Sequence, residues 1–191
     1  MPSVAYLNWR TFRAAVLDEV EAAHSSIGGT APGRRYATQQ INNAYALLLA
    51  AEFQGFCREL HDECVGVLLK VIPVPLQEIV EVSLSLGRQL DRGNATPSAL
   101  GSDFGRFEIR FWPSLFESDP RIQEWQRGLG ELNEWRNAIA HSHFPTNLAS
   151  ATMRLRLKNV QNYRKLCGRL ARAFDRLLLE KLQGLTGQLP W

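Results

Sequence analysis

At 191 residues the chain is long enough for one domain with a sizeable core and short for two. An apolar share of 45% with 21% charged residues excludes wholesale disorder. The net charge of +3 argues for no partner until its distribution is considered.

In chain order, the start Met1-Pro2-Ser3-Val4 has neither the basic end nor the apolar run of a secretory leader. Ser3 is placed to cap a first helix running to about His24. Glycines and a proline between Ser25 and Arg35 predict a loop. A long helix follows from about Thr38 to Val71, ended by Pro73 and Pro75, which lack the amide donor. Its apolar run Leu47–Ala51 stops at Glu52, and no stretch approaches the roughly 20 residues that span a bilayer. Leu76 to Leu90 reads as a third helix.

Asp91 to Asp119 is rich in Gly, Pro, Ser and aromatics. It predicts an irregular insertion loop with short turns, packed down by Phe104, Phe107, Phe111, Trp112 and Phe116. A helix from about Pro120 to His141 comes next, since proline suits a first turn. Gly128 and Gly130 either weaken it or admit a close neighbouring helix. Pro145 closes that region, and a last helix runs from about Ser150 to Leu185. Nothing alternates like a strand for long, and no repeat is visible. The expected fold is all-α: one domain over 1–191, an antiparallel up-down bundle of about five to six helices.

Cys57, Cys64 and Cys167 are odd in number, form no Cys-x-x-Cys pair and fall in helical segments. They read as buried free thiols in a reducing cytoplasm. The histidines do not join them at ligand spacing, and His141-x-His143 alone is a weak signal, so no metal or other cofactor is expected.

On the helix from Pro120, residues Ile122, Trp125, Leu129, Leu132, Trp135 and Ile139 form one apolar arc. Arg136 falls inside it. A guanidinium cannot lose its charge, so it needs a partner or a wet cleft. Asn137 and His141 are four apart and hence neighbours on the helix surface. At a helix end the dipole favours an imidazolium, a setting for proton transfer. The alternatives are structural: an ion pair between Arg136 and a buried carboxylate, and a histidine that only caps the last carbonyls.

The run Glu134-Trp135-Arg136-Asn137-Ala138-Ile139-Ala140-His141 resembles the signature of the HEPN superfamily. Those small helical domains carry Arg-x4–6-His near the end of a late helix, often with a polar residue after the arginine. Ala44 to Phe53 is similar to their early core helix, so the resemblance extends from about Thr38 onward, weakest over 91–119. The nearest members in pattern are the ribonuclease type of prokaryotic toxin–antitoxin and defence loci. The resemblance implies a metal-independent endoribonuclease, usually a homodimer whose two motifs face one cleft. Arg136, His141 and Asn137 are then the expected catalytic residues.

Glu52 lies on the apolar stripe of the long helix, one turn after Leu48 and one before Phe56, and needs a counter-charge. Arg136 is one choice; another basic residue, such as Arg58 or a lysine, is the other. The last helix carries the main charge asymmetry. From Ala151 to Gln183 there are nine basic residues against two acidic, a local +7 that leaves −4 for the rest. Arg154, Lys158, Lys165, Arg169, Arg172 and Arg176 fall within about 60° on a helical wheel, a stripe suited to tracking an RNA backbone. A solvated face, or one that docks an acidic protein, accounts for the same pattern.

The leading functional expectation is an RNA-cleaving toxin or defence nuclease in the cytoplasm, restrained by an antitoxin or regulatory partner. The alternative is a non-catalytic helical module that binds RNA, a nucleotide or a protein through the same cleft.

Overall fold

In the computed structural model, which describes residues 1–28, 36–143 and 154–191, all regular structure among the described residues is helical. Ser3 does cap the first helix, α1 (Val4–Asn8): its Oγ accepts from the Tyr6 amide at 3.0 Å. The Val4 and Ala5 amides donate to the Glu63 carboxylate at 2.9 and 3.0 Å, and the Ser3 amide to buried Asp175 at 2.9 Å. Carboxylates from two later helices thereby satisfy donors at a helix start and complement its positive end. A π-helical turn, Trp9–Arg13, leads into α2 (Ala14–Gly28). The helix continues through Gly28, past the expected loop start at Ser25; the rest of that expected loop, 29–35, lies outside the described residues.

The long helix α3 (Tyr36–Leu69) buries Tyr45, Leu49, Phe53, Phe56, Leu60 and Cys64, spaced three and four apart as one helical face requires. Trp9 packs edge-on against Phe53 at 5.6 Å, and Phe174 meets Phe53 from the other side at 6.1 Å. Cross-helix pairs set the directions. Trp9–Phe56, Arg13–Glu52 and Glu21–Tyr45 run α2 antiparallel to α3. Asn42–Leu155, Tyr45–Arg164 and Phe53–Phe174 run the last helix, α9 (Leu157–Thr186), parallel to α3.

Pro75 does not only end α3. It sits in the first turn of α4 (Val74–Ser85), where its missing amide costs nothing. That helix stops before the expected Leu90: Leu86 is extended, Gly87 takes φ +73°, and a single turn, α5 (Gln89–Arg92), follows. The expected loop over 91–119 is replaced by two helices, α6 (Pro97–Gly105) and α7 (Phe111–Ser118). Thr96 caps α6 by accepting from the Ala99 amide at 3.1 Å, and Pro97 and Pro113 both occupy first turns. The prolines that looked like breakers are starters. The aromatics do pack down as anticipated: Phe104, Phe107, Phe111 and Trp112 are buried and Phe116 is partly so.

Helix α8 (Ile122–Ala140) lies antiparallel to α9, as Gly128 against Leu166 and Glu131 against Tyr163 show. A Cβ on Gly128 would come within 2.3 Å of Leu166 Cδ1, so this glycine permits the close approach; one on Gly130 would meet nothing within 4 Å. The four long helices α2, α3, α8 and α9 therefore alternate in direction along the chain. Cys57, Cys64 and Cys167 are buried and unpaired, and burial pushes their thiols up. Among the described residues no helix is long and apolar enough to cross a membrane.

Candidate active site and nucleic-acid interface

The apolar arc of α8 is buried where Ile122, Leu129 and Leu132 face the core, and only partly buried at Trp125, Trp135 and Ile139. Arg136 is half-buried at the end of that arc. Among the described residues it forms no ion pair; its Nη1 donates to Asn137 Oδ1 at 3.2 Å. The same oxygen accepts from Asn94 Nδ2 at 2.7 Å. One turn earlier, buried Asn133 donates to the carbonyls of Ala95 at 3.1 Å and Leu129 at 2.9 Å. Two asparagines four apart thus hold the 94–95 segment against α8, and the Asn137 amide Nδ2, which has no partner among the described residues, is placed to meet an anion. Asn94 and Asn133 were not expected. The available signal was the Asn133–Asn137 spacing along one edge of the arc.

His141 closes α8 as its C-cap, with φ −101° and ψ 2°. Ser142 follows at φ +52°; its amide donates to the Ile139 carbonyl at 3.3 Å, and the His143 amide to the Ala138 carbonyl at 3.0 Å. These two bonds make a Schellman ending, which satisfies terminal carbonyls of α8. Both histidines are left exposed at the helix end, and His141 follows Asn137 by one turn, its amide donating to the Asn137 carbonyl at 3.0 Å. A left-handed non-glycine residue costs about 1–2 kcal/mol. Ser142→Gly is therefore expected to raise unfolding free energy by about 1 kcal/mol in urea titrations, and an unchanged or lower midpoint would contradict this ending.

Glu52 does not reach Arg136. Its carboxylate takes Arg13 Nη1 at 2.5 Å, and Arg13 Nη2 takes Glu59 at 2.6 Å. The counter-charge is thus not Arg136 but another basic residue, Arg13. Gly55 makes the arrangement possible, since a Cβ there would fall 2.6 Å from Arg13 Nη1. The reason is angular. Glu52 faces the first helices, whereas Gln54, about 200° further round α3, donates to the carbonyls of Leu90 and Gly93 on the side of Asn94.

All six residues of the basic stripe are exposed. Arg154 precedes the helix, because α9 starts at Leu157 rather than near Ser150, and 144–153 (with Pro145) lie outside the described residues. Lys158, Lys165, Arg169, Arg172 and Arg176 share the outer face of α9, opposite buried Val160, Leu170, Phe174, Leu177 and Leu178. Arg164 is excluded from that face. It turns inward to Asp18 at 2.7 Å and Glu21 at 2.9 Å, and Glu21 also accepts from the Tyr45 hydroxyl. By the register of α8 against α9, Lys158 falls level with Arg136, so the stripe starts at the histidine end and runs away from it.

No protein-family model, curated protein or solved structure matches this chain.

Proposed function

We propose that the protein is a metal-independent endoribonuclease with a HEPN-like bundle, acting as a toxin or defence nuclease under the control of a protein partner. The observation that carries this reading is a half-buried Arg136 with no ion pair among the described residues, set beside Asn137 and the exposed His141. Keeping a guanidinium partly out of water without a carboxylate is costly, and a phosphate would supply the missing partner. The sequence resemblance over Glu134–His141 points to the same chemistry.

RNA cleavage of this type needs a base for the 2′-hydroxyl, an acid for the leaving oxygen and a cation for the charge on phosphorus. One neutral His141 takes the 2′-hydroxyl proton as that oxygen attacks phosphorus. A second, protonated His141 gives its proton to the departing 5′-oxygen. The products are a 2′,3′-cyclic phosphate and a 5′-hydroxyl. Arg136 holds the non-bridging oxygens, and Asn137 Nδ2 orients phosphate or ribose. One copy of the motif has a single His141, so a two-fold dimer that faces both motifs into one cleft completes the set.

Mixing wild-type protomers with His141→Ala protomers tests this sharing. Activity is expected to fall as the square of the wild-type fraction, because a mixed dimer holds only one His141 and lacks either the acid or the base. Full wild-type activity in a species that sediments only as monomer would exclude the shared site.

A further inference from the structure

We propose that the groove between the first half of α8 and the second half of α9 is a second nucleic-acid subsite, in which a single-stranded base stacks on Trp125 while Arg169, Arg172 and Arg176 hold phosphates. This assignment rests on the RNA reading but not on catalysis. The groove encloses about 610 Å³, and Arg121 lines it from the α8 side. Trp125 belongs to the apolar arc, yet it is only partly buried and lines the groove. Two guanidiniums lie over its ring, Arg121 at 5.8 Å and Arg169 at 5.5 Å from the centroid, and the exposed Arg121 side chain swings aside for a base to stack there. An aromatic ring bordered by arginines is the pattern that holds bases and phosphates of single strands together.

The charges are available. Among the described residues Arg169 and Arg172 have no carboxylate partner, while Arg121 pairs with Asp119 at 2.8 Å and Arg176 with Glu180 at 3.0 Å. The last two pairs are exposed, and such pairs are worth little, so a phosphate can replace them. Arg169, Arg172 and Arg176 stand at i, i+3 and i+7 and therefore share one helical face.

The position connects this groove to the Arg136 end. A smaller hollow of about 340 Å³ shares Glu124, Trp125 and Arg169 with it and continues past Lys165 and Tyr163. Trp125 precedes Arg136 by 11 residues, about 17 Å along α8 at 1.5 Å per residue. A stacked strand advances about 3.4 Å per nucleotide, so roughly five nucleotides separate the stacked base from the scissile phosphate. An acidic protein would use the arginines but gain nothing from Trp125.

The test uses the full chain and a labelled, uncleavable 2′-O-methyl RNA strand of about ten nucleotides, with affinity measured at two salt concentrations. Trp125→Ala is expected to weaken binding about tenfold with the salt dependence unchanged, and Trp125→Phe to restore most of it. Arg169→Glu/Arg172→Glu, on an exposed face, is expected to weaken binding and to flatten the log–log salt slope by about 1.4. Inorganic polyphosphate, which has charge and no bases, is expected to bind without regard to Trp125. Unchanged RNA affinity in folded Trp125→Ala, or a wild-type salt slope in the double variant, would overturn the subsite. Binding that needs Trp125 in a protein that never cleaves RNA keeps the subsite and removes the nuclease; cleavage that needs His141 with binding indifferent to Trp125 does the reverse.

Discussion

His141→Ala and Arg136→Ala are each expected to lower the proposed RNA cleavage by about a hundredfold or more, with the helical fold retained. Retention of the fold follows from their places. His141 is an exposed C-cap whose backbone, not its ring, makes the capping bonds, and Arg136 donates one side-chain bond to Asn137 at 3.2 Å. Loss of activity without loss of melting temperature therefore separates a chemical role from a structural one. Arg136→Lys keeps the charge but not the planar fork, and is expected to recover only part of the rate. On the proposed mechanism, cleavage is expected to persist in EDTA and to leave a 2′,3′-cyclic phosphate. A strict requirement for added Mg²⁺, or wild-type rates in His141→Ala, would sink the mechanism and favour a module that only binds.

The second large effect is on acid stability and arises at His61. This ring is fully buried on α3, with Phe107 at 4.7 Å and Phe104 at 5.6 Å between ring centroids. Arg88 Nη1 lies 3.1 Å from its Nδ1 and also holds Asp62 at 2.5 Å, while Asp91 takes Arg88 Nε at 3.0 Å. Buried Asp103 accepts from the Gln89 and Leu90 amides at 2.9 and 2.8 Å, so its oxygens are committed to the start of α5. Burial, and then the Arg88 charge, push the His61 pKa down to about 4.

The unfolded chain takes the proton near the ordinary value of about 6.5, whereas the folded chain keeps His61 neutral down to about pH 4. Folding stability is therefore complete above pH 6.5 and falls as pH drops through that interval, because the unfolded state binds the extra proton. The expected loss is about 2 kcal/mol between pH 7 and pH 5, read from urea unfolding at each pH. His61→Gln keeps an acceptor for Arg88 and removes the titration, so its stability should be nearly flat over the same range. A wild-type slope in that variant would assign the effect to another group.

Much of the fold is legible in the residues themselves. Ser3 before an amphipathic run, the three-and-four spacing from Tyr45 to Cys64, and the arc from Ile122 to Ile139 are local patterns, and local patterns decide helices because each turn's bonds stay within a few residues. The exposed basic face of α9 is equally local, since its apolar residues leave the arginines and lysines no other side. Arg136 and His141 stand out for the same reason: a charge inside an apolar arc and a histidine at a helix end are visible without any partner.

What only the tertiary structure decided is where each odd residue finds its partner. Proline and glycine in 91–119 suggested a loop, but Pro97 and Pro113 begin helices because the hydrophobic surface around Phe104, Phe111 and Phe174 orders that segment. The Glu52 carboxylate went to Arg13 because the rotation of α3 aims it at the first helices and Gly55 leaves room for a guanidinium. Asn94 reached Asn137 from 43 residues away, and Trp125 came to lie beside Arg169 from the last helix. Such pairings depend on the relative rotation and register of packed helices. Those are set by the whole core at once, so no single segment of sequence carries them.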